Sequence, residues 1–124
     1  MSYHIKIQAA TRTVCVVHQG TVDLSDMESG RDKAVAALTE QGFSRLLVDT
    51  RAIEHPPTLT EHHRFASTQP LYMPPHIAVA VVVPGSVESG THRQVEKLSA
   101  DRGVQTRAFD DIDEAQAWLM RITS

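Results

Sequence analysis

The residues whose types and spacing could do chemistry crowd into "RAIEHPPTLTEHHRF", residues 51–65, where His55, Glu61, His62 and His63 fall within nine positions. Imidazoles and a carboxylate in such a group are zinc ligands or proton carriers near neutral pH. Two ligands on one helix normally sit three or four residues apart, as in H-E-x-x-H. His62 and His63 are adjacent, so on a helix they diverge by about 100°, and Glu61 diverges as well. A metal site built from His55, Glu61 and His62 is therefore the weaker alternative. The same residues read more simply as a strand exit, a proline-stiffened loop and a helix start. No residue is assigned a catalytic role.

The rest of the chain sets the frame for that loop. Its 124 residues, 41% hydrophobic, suffice for one domain over 1–124 and not for two. A net charge of -3 with interspersed signs offers no footprint for nucleic acid or an anionic membrane. The longest apolar run, "IAVAVVV" at 77–83, is far short of the roughly 20 residues a membrane span needs. "MSYHIKIQ" opens as a strand rather than a leader, so a cytoplasmic protein is expected. Cys15, the single cysteine, lies in "TVCVVH" and reads as a small buried hydrophobe.

Tyr3, Ile5 and Ile7 alternate with polar residues, and "TVCVVH" at 13–18 supplies a partner, so an antiparallel hairpin comes first. Leu24, Met27, Ala34, Val35 and Leu38 then recur at helical spacing, with Ser25 and Glu28 as a capping box and Gly42 at the stop. "RLLVDT" and "IAVAVVV" are continuous apolar runs, the pattern of parallel strands covered on both faces. Thr58 and Glu61 form a second box before a short helix ending near Pro70, and "LYMPPH" is a rigid connector. A further helix is expected from Ser86 or Ser89 to Gly103, carrying Val95 and Leu98 inward. "VQTRAF" is a last, more polar strand. The closing helix, boxed by Asp111 and Glu114, buries Ile112, Ala115, Leu119 and Ile122 with Trp118 alongside.

Ligands of open α/β sheets bind beyond the carboxyl ends of the parallel strands, against helix N-termini. Those loops present Asp49, Arg51, His55, Thr58, Thr60, Ser86, Ser89 and Asp110, a set suited to a phosphorylated side chain or a small polar ligand. It holds no nucleophile with its base. Gly85, Ser86, Ser89 and Gly90 follow a buried strand, but neither G-x-G-x-x-G nor G-K-[ST] is present, so no nucleotide cofactor is implied. Acidic crowding at Asp110, Asp111 and Asp113 fits the positive end of a helix dipole better than acid-base work. Leu71, Tyr72 and Met73, between prolines, are the candidate apolar interaction surface.

The order ββαβαβαβα, with "RLLVDTRAI" at 45–53, "IAVAVVVPGS" at 77–86 and "GVQTRAFDDIDEAQAWL" at 103–119, resembles the SpoIIAA-like branch of the STAS superfamily, small bacterial domains also described as STAS/SEC14-like. The resemblance implies an α/β fold with an N-terminal hairpin, βαβαβα units, a mixed sheet of about five strands and about four flanking helices. It also implies a non-enzymatic regulatory or protein-interaction module, often a homodimer. In the anti-sigma-factor-antagonist type a serine or threonine after the strand ending at Asp49 is phosphorylated. The Asp-Ser-Ser-Gly motif of that type is replaced here by "PTLTE", leaving Thr58 and Thr60 to stand in, with Asp49, Arg51 and Ser86 as further candidate phosphorylation or ligand residues. The SEC14-like side implies instead a carrier of a small apolar or lipid ligand beneath the helix at 59–69, and a metal-dependent enzyme is a third reading.

Overall fold

The structure, a computed structural model, describes residues 3–74, 76–84 and 105–122. Strand β1 (Tyr3–Gln8) and β2 (Thr13–Thr21) form the antiparallel hairpin, joined by a 3-10 turn at Ala9–Thr11 with Arg12 in the left-handed region. Helix α1 (Leu24–Gln41), β3 (Arg45–His55), α2 (Leu59–Tyr72), β4 (Ala78–Val82), β5 (Gln105–Phe109) and α3 (Ile112–Ile122) complete the described elements. The sheet order is β1-β2-β3-β4-β5, with β2 to β5 mutually parallel. The described helices thus number three rather than about four, and the loop and helix expected over 85–103, with Ser86 and Ser89, lie outside the described residues. Among the described residues no helix is long and apolar enough to cross a membrane.

The two sheet faces carry different layers. Tyr3, Val14, Val16, Leu46 and Val79 form one cluster with Ala34 and Leu38 of α1 and with Met73 just past α2. On the opposite face Cys15, Leu47, Ala78, Ala80 and Val82 pack against Ala115 and Leu119 of α3. Continuous apolar strands are what two covered faces require. Each fully buried leucine here contributes about 1.5–3 kcal/mol of transfer free energy. Ile122, expected in this core, is 41% exposed because the helix ends there, beyond its last buried turn at Leu119.

Local signals set most boundaries, and three differ from expectation. The capping box of α1 is Asp23 with Asp26, not Ser25 with Glu28: Asp26 N donates to Asp23 Oδ1 at 2.9 Å and Asp23 N to Asp26 Oδ2 at 3.0 Å. An aspartate at the third helical position can reach back as glutamate does, so the box starts two residues earlier. β3 runs on to His55 rather than stopping after Asp49, because β2 continues beside it, Gln19 opposite Ala52 and Thr21 opposite His55. The irregular register there coincides with Gly20 at φ 68, a conformation that costs glycine little. Finally, α2 continues past Pro70 to Tyr72. The stacking of Arg31 over Tyr72, 4.5 Å from the ring centroid, and the burial of Met73 fasten its last turn.

Candidate functional site

Helix α2 begins where the sequence places it, at a reciprocal cap. Glu61 N donates to Thr58 Oγ1 at 3.2 Å, and Thr58 N donates to Glu61 Oε1 at 3.0 Å. The second carboxylate oxygen leaves the box: Leu24 N, the first amide of α1, donates to Glu61 Oε2 at 2.7 Å. These amide donors, Thr58 first and Leu24 next, hold the Glu61 carboxyl below the usual glutamate range. The carboxylate is therefore occupied as a double helix cap. His62 turns inward and burial lowers its pKa, opposed by Glu61, whereas His63 is exposed. His55 is exposed at the end of β3, its carbonyl accepting from Val22 N at 3.0 Å. Among the described residues no group of three or more histidine, cysteine or acidic side chains is placed to hold a metal ion.

Asp49 and Arg51 belong to the other face of the sheet. Arg51 closes on Asp49 with a fork, Nε to Oδ1 at 3.0 Å and Nη2 to Oδ2 at 2.9 Å, and its own amide adds a bond to Oδ1 at 3.1 Å. Arg51 side-chain hydrogen bonding holds the Asp49 carboxyl low against the opposing effect of burial. Nearby Cys15 is pushed the other way, first by burial and then by the Asp49 charge. Asp111, capping α3 through bonds from Asp113 N and Glu114 N, adds negative charge near Arg51. The α3 side of the sheet thus holds Asp49 and Arg51, while Thr58 and Thr60 are exposed at the start of α2 on the opposite side. Ser86 and Ser89 lie outside the described residues, and the described members of the group read from sequence do not all converge.

A different set does. Between α1, α2 and the sheet lies a cavity of about 130 Å³. Val16, Val48, Val79 and Val81 floor it, and Phe65 and Ala66 roof it from α2. Among the described residues three basic side chains reach its wall, His18, Arg31 and His62, and no carboxylate does. His18 is 5% exposed, its Nδ1 buried without a hydrogen-bond partner among the described residues. Burial lowers its pKa and favours the neutral imidazole, opposed by the charge of Asp26. The ring tilts against Tyr3, centroids 5.7 Å apart, and backs onto Gly30, where a Cβ would lie 3.2 Å from Cε1. Arg31, also 5% exposed, lies between the rings of Phe65 and Tyr72, at 5.2 and 4.5 Å from their centroids. Its Nη1 donates to Thr68 Oγ1 at 3.2 Å and its Nε to Asp32 Oδ1 at 3.1 Å.

Neither His18 nor Arg31 was singled out from the sequence, although each carried a signal. Counting by two from Val14 and Val16 puts His18 on the apolar face of β2. Counting along α1, Met27, Arg31, Ala34 and Leu38 form one helical stripe, so Arg31 interrupts an otherwise apolar face. The proposed surface at residues 71–73 divides: Leu71 is 77% exposed and Tyr72 52%, but Met73 is 4% exposed and belongs to the core. Leu59, at the other end of α2, is 55% exposed.

The fold has solved counterparts. An uncharacterised protein of the DUF3478 family with a SpoIIAA-like fold, from Shewanella loihica, superposes with a TM-score of 0.63 at 17% identity, covering 94% of this chain and 91% of the other. An anti-sigma factor antagonist from Mycobacterium paratuberculosis gives 0.59 at 14% identity, over 94% and 92% of the two chains. The anti-sigma factor antagonist SpoIIAA in its unphosphorylated form gives 0.61 at 11% identity, over 96% and 97%. At these identities the likeness is one of fold. No curated protein matches the sequence. The profile of the SpoIIAA-like family matches residues 13–120, from the start of β2 almost to the end of α3, and the chain belongs to that family.

Proposed function

We propose that this chain is a non-enzymatic regulatory module of the STAS type that works by binding another protein or a second copy of itself through α2. The observation that carries this reading is the distribution of exposed apolar side chains. Of the six large exposed hydrophobics among the described residues, three, Leu59, Leu71 and Tyr72, sit on this one helix of 14 residues. Leu71 and Tyr72 adjoin at its C-terminal end and Leu59 lies at its start, so both ends of the helix offer apolar surface to a partner. Two of the solved counterparts are described as anti-sigma factor antagonists, which accords with a protein partner.

The hydroxyls at the helix start suit regulation of that face. Thr58 is spent on the Glu61 amide, and a phosphate there would meet the Glu61 carboxylate at close range. Thr60, exposed in the first turn of α2, is the candidate modification site, because a phosphate at that point gains from the helix dipole. An enzymatic reading has less support: the Asp49 carboxylate is committed to Arg51 and Glu61 to the helix caps.

Native mass spectrometry and sedimentation of the purified chain test the proposal. A dimer that Leu71→Asp and Leu59→Asp each dissociate supports self-association through α2. If the wild type is monomeric, a photo-crosslinking residue at position 71 should capture a discrete protein partner that Leu59→Asp abolishes. A monomer with no such partner ends the reading.

A further inference from the structure

We propose that the cavity between α1, α2 and the sheet is a binding site for a small apolar molecule of about benzene's size carrying one acidic or hydrogen-bond-accepting oxygen, recognised by His18 and Arg31. The inference stands on the cavity and is independent of what binds the outer face of α2.

Size decides the class. Sites for drug-sized ligands run to roughly 300–1,000 Å³, and an acyl chain would need space of that order. The cavity here, about 130 Å³, is close to the roughly 150 Å³ that accommodates benzene in an apolar protein interior. The described lining therefore matches a compact monocyclic or branched molecule. Lining chemistry decides the head group. The described lining is mostly apolar, with basic groups, the hydroxyls of Thr50 and Thr106 and no carboxylate, so an oxygen acceptor is favoured over a cation.

His18 supplies the specific contact. Buried polar atoms are almost always hydrogen-bonded, and those that are not call for an explanation. His18 lines the cavity, nine-tenths buried, and its Nδ1 has no hydrogen-bond partner among the described residues. An oxygen in the cavity would satisfy it by accepting a hydrogen bond from the Nδ1–H tautomer. Gly30 and the tilted Tyr3 ring pack against the imidazole. Arg31, its guanidinium over the rings of Phe65 and Tyr72, places positive charge in the same wall.

Benzoate, toluene and benzylamine are three probes of one ring size with an anionic, a neutral and a cationic character. Amide and methyl NMR shifts of the full chain, titrated with each, report both affinity and location. The expected result is saturable shifts at Val16, Val48, Val81 and Ala66, with benzoate binding at least tenfold tighter than toluene and benzylamine not binding. His18→Phe, which keeps the ring, should bring benzoate down to the toluene level. Ala66→Leu should block both. Should Ala66→Leu fail to fold, the His18→Phe comparison carries the test alone. Absence of saturable binding, shifts centred elsewhere, equal affinity for benzoate and toluene, preference for benzylamine, or indifference of benzoate to His18→Phe would each overturn the proposal.

Discussion

The Glu61 carboxylate accepts the Leu24 amide at 2.7 Å, so one side chain in the first turn of α2 caps the start of α1, 37 residues away in sequence. The same carboxylate closes the local Thr58 box, and the N-termini of two helices depend on a single acid. Because each orphan amide at a helix start needs an acceptor, the loss is shared between both helices. Glu61→Ala should lower the melting temperature more than Thr58→Ala, which removes the α2 acceptor but leaves the tie to α1. Thermal unfolding of the two variants checks the order. A larger loss in Thr58→Ala would show that the link to Leu24 contributes little.

Gly30 and His18 should be energetically coupled. Alanine in a helix is favoured over glycine by about 1 kcal/mol, so Gly30→Ala would ordinarily stabilise α1. Here the new methyl would press on the His18 ring at 3.2 Å, and that ring has Tyr3 on another side. Gly30→Ala is therefore expected to gain nothing or to destabilise, whereas in a His18→Ala background it should recover about 1 kcal/mol. Urea denaturation of the two single variants and the double closes the cycle. Additive effects would mean that the imidazole yields freely.

What the sequence makes legible follows the range of the interactions involved. The hairpin, the Gly42 stop at φ 72 and the Thr58–Glu61 box are decided by neighbours in the chain, and they appear where the pattern puts them. The length of β3 was not legible, because residues 50–55 have no apolar run and are strand only through pairing with an equally extended β2. Asp49 and Thr58 are near one another in the chain, yet strand alternation sends Asp49 to the α3 side of the sheet. The cavity wall was missed for a related reason. A histidine and an arginine on apolar stripes look like solvated exceptions until α2 is seen to cover them.

Arg31 should matter far more than the carboxylate it pairs with. Its side chain is 3% exposed while that of Asp32 is 58% exposed, so the ion pair is largely screened on one side. The guanidinium owes its position to Phe65, Tyr72 and Thr68, and truncating it removes packing, two ring contacts and a hydrogen bond together. Arg31→Ala is expected to cost about 2–3 kcal/mol and Asp32→Ala less than about 1 kcal/mol, measured by urea denaturation. Comparable losses would assign the stability to the ion pair instead.

Cys15 should be chemically silent in the folded protein. It is 3% exposed, and burial and the Asp49 charge both push its thiol pKa up, leaving little thiolate at neutral pH. A disulfide reagent such as Ellman's should react at the rate of unfolding, without a fast phase, and completely once denaturant is added. Prompt stoichiometric reaction of the native protein would contradict this packing.

Stability should fall with pH in two stages. Burial lowers the native pKa of both His18 and His62, so below the ordinary imidazole value the unfolded chain binds protons that the native state resists. The native state then loses stability as pH drops through that value, and goes on losing it until the lowered native values are passed. Asp49 and Glu61 act further down: their native pKa values are lowered by hydrogen bonding, so the stability they contribute is present above the ordinary carboxylate range and disappears below it. Denaturant melts from pH 8 to pH 3 should therefore show one decline beginning near neutrality and a second in the acid range. His18→Phe should shallow the first and leave the second, since phenylalanine has no proton to gain and the carboxylates are untouched. An unchanged first decline in that variant would mean that His18 is already protonated in the fold, or hydrated, and that the imidazole in the cavity wall is not held neutral.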